Sequence, residues 1–152
     1  MVVVVSARDR WDLILLACGA KKQTCPVPAG ELYTGAYFQA CRQVALNLPH
    51  DQMRIVSARH GLLRLQEMVA PYDQRLGQPG AVTSADLYQQ AVAQQLLGAR
   101  TVLVLGGQAY VAIVRSVWPR VEHPLHGGIG QQLAQLRAWR GRGVAPTDFE
   151  WQ

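Results

Sequence analysis

Asp12-Leu13-Ile14-Leu15-Leu16-Ala17, halted at once by Cys18-Gly19, is the stretch on which the fold turns. Its apolar run is nearly continuous and short, the pattern of a strand covered on both faces, as in a parallel sheet. Two later runs share that character: Met53 to Ser57, breaking at Ala58-Arg59-His60-Gly61, and Thr101 to Leu105, closed by Gly106-Gly107.

Helical segments separate these runs. Thr34 is a fair N-cap for a helix to about Leu48, with Tyr37, Cys41, Val44, Ala45 and Leu48 on one face and Pro49 ending it. Ser84 heads a second helix to about Leu97, and a third runs from about Gln108 to Val117. A glycine-rich turn, His126-Gly127-Gly128-Ile129-Gly130, opens the last, to about Arg140. Leu62 to Thr83, with Pro71, Gly77, Pro79 and Gly80, has no sustained period and reads as a long loop, a feature that often carries function. This order predicts an α/β fold: a three-layer, doubly wound sheet, mainly parallel, with helices on both faces. One domain is expected over residues 1–152, with residues 1–10 as an extension and 141–152 as a tail that docks by Phe149 and Trp151 or frays.

The chain is 49% hydrophobic and 16% charged, enough apolar surface to offset chain entropy. A formal charge of +5 favours anionic partners, nucleotides, nucleic acid or acidic metabolites, but the basic residues are scattered. The local cluster Arg137, Arg140 and Arg142 reads first as a solvated helix end. The run Val2 to Val5 is too short for a membrane span or a signal peptide, so a cytoplasmic protein with no membrane partner is expected. Cys18, Cys25 and Cys41 are odd in number and lack metal-binding spacing, which points to reduced thiols. The acids are few and dispersed; no metal and no cofactor are expected.

Open parallel sheets bind ligands at the carboxyl ends of their strands, where the strand order reverses. The unusual residues of this chain fall there. After the first strand, Cys18, Gly19 and Ala20 let backbone approach a ligand, and Lys21 or Lys22 can neutralise a phosphate or carboxylate; Cys18 is a nucleophile or a small buried hydrophobe. After the second, Ser57, Arg59 and His60 offer a hydroxyl, a guanidinium and an imidazole, with Gly61 closing the turn, or His60 merely caps it. Gly106 and Gly107 follow the third. In the long loop, Tyr72 can stack on a base and Asp73 can act as general base or nucleophile, although an ordinary turn is favoured by spacing alone. Gly128, Ile129 and Gly130 open a helix, where free amides suit an anion and His126 can add a donor; a tight packing turn is the alternative.

Taken in order, Cys18-x-x-Lys21-Lys22, the segment Pro28 to Phe38 with Glu31-Leu32-Tyr33, Gly35 and Tyr37, then Ser57-Ala58-x-His60-Gly61-Leu62-Leu63, Ala70-Pro71-Tyr72-Asp73 and Gly128-Ile129-Gly130 resemble the YaaA-like group of bacterial domains. The likeness spans about Leu13 to Trp139. The Cys-x-x-Lys and tyrosine-rich segment more loosely resembles the core of archaeosine synthase, which modifies a deazaguanine base in transfer RNA. Tyr33 and Tyr37 enter the candidate site through this resemblance.

The expected function is that of a small enzyme, a hydrolase or transferase, handling a nucleotide, nucleoside or base at the base or its N-glycosidic bond. Asp73, Ser57 and His60 would be catalytic; Cys18, Gly19, Lys21, Tyr33, Tyr37, Arg59, Gly61, Tyr72, Gly106, Gly107, His126, Gly128, Ile129 and Gly130 would bind substrate. The alternative is a non-catalytic nucleotide- or nucleic-acid-binding stress or scaffold protein.

Overall fold

The computed structural model describes residues 10–139; the segment 1–9 and the tail from 140 onward, with the roles expected of them, lie outside the described residues. Strand β1, Trp11–Ala17, pairs in parallel with β3, His50–Ser57, on one side and with β6, Val102–Leu105, on the other. β4, Gly61–Leu63, adds an antiparallel edge to β3, giving the order β4-β3-β1-β6. The chain is therefore mixed α/β, with a mostly parallel four-stranded sheet whose order reverses at β1.

Each strand of this sheet alternates its side chains between two cores. Ile14 and Leu16 of β1 and Leu103 and Leu105 of β6 enter one cluster, joined by Phe38, Cys41, Val44 and Ala45 of α2, Ala36–Leu46, and Leu136 of α5, Ile129–Trp139. Leu13 and Leu15 of β1 and Val102 and Val104 of β6 enter the other, with Leu87 and Ala91 of α3, Ser84–Ala93, and Val111 and Val114 of α4, Gln108–Arg115. That division explains why β1 reads as a continuous apolar run: Leu13 through Leu16 are all wholly buried.

Several boundaries differ from expectation. The cap of α2 is Gly35 instead of Thr34, and α3 begins one residue earlier, on a capping box in which Thr83 Oγ1 accepts the Asp86 N–H at 3.1 Å and Asp86 accepts the Thr83 N–H at 3.0 Å. The long loop after Leu62 is partly ordered as sheet: Gly61–Leu63 forms β4, and β5, Met68–Val69, pairs antiparallel with β2, Val27–Pro28, beside the short helix α1, Ala29–Leu32. Strands of two or three residues are too short for any period to reveal them.

Gly106 follows β6 where it passes β1: a Cβ built on it would lie 2.4 Å from Ala17 Cβ. Gly106→Ala should therefore overpack the sheet edge and lower the unfolding free energy by about 1–3 kcal/mol in urea denaturation. Exposed Gly98, around which nothing lies within 4 Å of an added Cβ, is the control and should tolerate alanine far better.

Candidate functional site

Cys18 follows the last residue of β1, Ala17; its N–H still donates to Val56 O of β3 at 3.1 Å, and its side chain is half-buried at the edge where the strand order reverses. Cys18 Sγ lies 3.2 Å from the hydroxyl of Tyr110, in the first turn of α4, and accepts the Ala58 N–H from the end of β3 at 3.4 Å. One sulfur thus ties the ends of β1 and β3 to the helix that follows β6. Burial, then the neighbouring Cys18, pushes the Tyr110 phenol well above its ordinary range.

The neighbouring strand end delivers Ser57, wholly buried. Its Oγ accepts the N–H of Arg59 at 3.2 Å and of His60 at 3.0 Å, and it lies 2.7 Å from the Tyr72 hydroxyl. A serine oxygen has two lone pairs and one proton; with both pairs taken by amides, the proton goes to Tyr72. Tyr33 Oη is also 2.7 Å from Tyr72 Oη, and Tyr33 is wholly buried, so its proton too must be placed on an oxygen. The assignment that satisfies both buried hydroxyls has Tyr72 accepting twice, which leaves Tyr72 its own proton to give. Burial is the main reason both phenols stay protonated: Tyr33 is pushed up to about 12, and Tyr72, with Cys18 and Tyr33 also beside it, moves further in the same direction. In this arrangement the Ser57 oxygen is fully engaged, its lone pairs on the two amides and its proton toward Tyr72.

Of the two lysines, Lys22 joins the cluster. Its ammonium stands 4.4 Å from the Tyr72 ring centroid and 5.9 Å from that of Tyr33, with one proton donated to Ala20 O at 3.0 Å, while Lys21 is exposed. The His60 ring meets Tyr72 edge-on, with centroids 5.3 Å apart. Burial, then the charge of Arg59, holds His60 below the usual histidine value against the opposing pull of Glu67, so it is a neutral imidazole near pH 7. Arg59, His60 and Tyr72 border a cleft of about 400 Å³ whose far wall includes Glu67, Val69 and Pro71. Asp73 is exposed next to this cleft, with no hydrogen bond or ion pair among the described residues.

The turn that carries His60 is held from α3. Gln90 donates from Nε2 to His60 O at 2.9 Å and accepts the Leu62 N–H on Oε1 at 2.8 Å. Gly61 sits under this carboxamide at φ +72°, and a Cβ there would lie 2.1 Å from Gln90 Oε1. Neither Gln90 nor Tyr110 was singled out in the sequence. Tyr110 had a positional signal, a helix start just past Gly106-Gly107, whereas a glutamine reaching across 30 residues leaves none.

The glycine-rich turn is organised differently from the expected anion site. Gly128 N–H is already taken by Gln131 Oε1 at 2.9 Å, and Gln132 donates to Gly127 O at 3.0 Å while accepting the Tyr37 hydroxyl at 2.5 Å. His126 is bound through its backbone N–H and C=O to the Gln135 carboxamide. Tyr37 and Gln132 thus join α2 to α5, with His126, Gly128, Ile129 and Gly130 exposed at the head of α5, and no described contact joins these residues to Cys18, Ser57 or Tyr72. Gly19 lies against Phe38 and Tyr33, beside the cluster, and Gly106 and Gly107 bring the chain from β6 to α4 and Tyr110.

Among the described residues no helix is long and apolar enough to cross a membrane, and no cluster of ligating side chains could hold a metal ion. A protein-family model described as a family of unknown function, DUF6884, matches residues 13–138. No curated protein and no solved structure matches the chain, and nothing in these comparisons links it to the YaaA-like proteins or to archaeosine synthase.

Two outcomes are expected. Tyr72→Phe removes the shared acceptor of Ser57 and Tyr33 and should cost about 1–3 kcal/mol in chemical denaturation, the penalty for stranding buried hydroxyls. Because the folded pKa of His60 is lowered, the unfolded chain binds its proton more readily; the contribution of His60 is full above its unfolded value of about 6.5 and is lost as pH falls through the lower folded value. NMR titration should place the His60 midpoint below that of a histidine in a model peptide.

Proposed function

We propose that this chain, which belongs to DUF6884, a family of unknown function, binds a nucleobase-containing small molecule, a nucleoside or nucleotide, at the carboxyl edge of its parallel sheet and acts on the base or its N-glycosidic bond. The observation that carries the reading is the Tyr72 hydroxyl beside the cleft, 2.7 Å from both Ser57 Oγ and Tyr33 Oη; with both of these donating, Tyr72 would have a proton left to give. Tyr72 would give that proton to a ring nitrogen or carbonyl oxygen of the base. As the glycosidic C–N bond breaks, its electron pair leaving with the base, a water would add to the sugar carbon and give its proton to neutral His60, and the exposed carboxylate of Asp73 would offset positive charge developing at that carbon. Lys22, resting on the Tyr72 ring, keeps the local potential positive for a phosphate.

Three further considerations support this reading. The motif likeness to the YaaA-like group and, more loosely, to the archaeosine synthase core points to nucleobase chemistry. The formal charge of +5 suits an anionic ligand in a cytoplasmic setting. Assigning helices to both faces, as the two cores suggest, gives a three-layer doubly wound frame, in which ligands bind at the carboxyl edge of the sheet, the edge that carries Ser57 and His60.

A thermal-shift screen against nucleotides, nucleosides and free bases, with mass spectrometry of each hit, tests the proposal. At least one class should raise the melting temperature and yield a cleaved or transferred product, with the rate lowered at least about tenfold in Tyr72→Phe, the scale of one lost hydrogen bond to the reacting group. No shift with any of the three classes would refute it.

A further inference from the structure

Arg59 stands on the turn between β3 and β4 and borders two clefts at once. The first is the cleft of about 400 Å³ bounded by His60, Glu67 and Tyr72. The second, about 410 Å³, lies along α3 and is bounded by Val82, Asp86, Gln89, Gln90 and Ala93. Each is in the range that takes a small ligand. Arg59 is exposed, and among the described residues its guanidinium has no hydrogen-bond or ion-pair partner, so all its donors remain available.

Both clefts hold one carboxylate, and both carboxylates are fastened to backbone. Asp86 Oδ2 accepts the Thr83 N–H at 3.0 Å, and Glu67 Oε1 accepts the Arg64 N–H at 3.0 Å. Each keeps lone pairs for a neutral donor such as a sugar hydroxyl or a base amino group, and each repels a second anion. The surface therefore offers an acceptor, then one unpaired cation, then an acceptor again. A polyphosphate fits this order badly, since several negative charges would meet two carboxylates with Arg59 the only cation among the residues that line the two clefts, Lys22 standing behind the Tyr72 ring. Two neutral, hydroxyl-bearing units joined by one singly charged bridge fit it well, with the bridge on the planar guanidinium.

We propose that the ligand is a dinucleotide, two nucleosides joined by a phosphodiester, lying across Arg59 with one unit in each cleft. The inference rests on the nucleobase reading of the Tyr72 cleft and extends it by a second subsite on α3.

Isothermal titration with nucleosides, nucleoside monophosphates and dinucleoside monophosphates carrying each of the four common bases tests it. A dinucleoside monophosphate should bind at least about tenfold tighter than its component nucleoside and nucleoside monophosphate. Arg59→Ala should erase that advantage, so that the dinucleoside monophosphate binds the variant no tighter than its component nucleoside does. A methylphosphonate linkage, which removes the bridge charge, should bind wild-type protein as weakly as the phosphodiester binds the variant. Ala93→Phe, filling the α3 cleft from an exposed helix position, should weaken the dinucleotide and spare the mononucleotide. If nucleosides or mononucleotides bind but dinucleotides bind no tighter, or if Arg59→Ala leaves the dinucleotide unaffected, the second subsite is overturned and the Tyr72 cleft stands. If none of the three classes binds, both fall.

Discussion

Burial of β1 on both faces and pairing of it along both edges is the constraint from which the rest follows. The enclosed stretch Leu13 to Leu16 has no place for a polar side chain, because each would meet hydrocarbon on whichever side it pointed. Polarity stands at its ends, at Asp12, which accepts the Arg100 and Thr101 amides, and beyond Ala17 where the strand leaves the sheet. Cys18 is that point, and the parallel neighbour β3 reaches the same level at Ser57. Parallel pairing thus gathers the reactive groups of distant segments at one edge, and the sulfur of Cys18 then bridges them.

Within that edge the order of donors and acceptors does the organising. The amides of Arg59 and His60 consume the acceptor capacity of Ser57, the Ser57 proton fixes one contact of Tyr72, and Tyr33 fixes another. A chain of hydroxyls left to itself can run in either direction. Here the two amides impose one direction, and the burial that keeps the phenols protonated prevents a charge from reversing it.

The strong signals in the sequence were those that repeat or punctuate. The three parallel strands were legible because their apolar runs end on glycine or a polar turn, and the edge location of Cys18, Ser57 and His60 followed from them. Two kinds of feature were not legible. Short strands such as β2, β4 and β5 carry too few residues for a pattern, and contacts made by single carboxamides across long separations have no sequence signature. The glycine-rich turn is an example: its residues suit an anion site or a packing turn alike, and only coordinates could place Gln131 on Gly128 N–H. Between Lys21 and Lys22, adjacent and chemically alike, only the direction of each side chain separates the exposed residue from the one on the Tyr72 ring.

The joints that hold this edge and the α5 junction are glutamines: Gln90 on the His60 turn, Gln131 and Gln132 on the glycine turn, and Gln135 on His126. A carboxamide neither gains nor loses a proton across the pH range a cell experiences, and its bonds are little screened by salt. At these four joints changes in acidity or ionic strength find nothing to titrate or screen, and they act instead on groups that carry or acquire charge, Asp86 of the α3 capping box and His60 among them. The molecule sets neutral joints beside a working face that senses its medium.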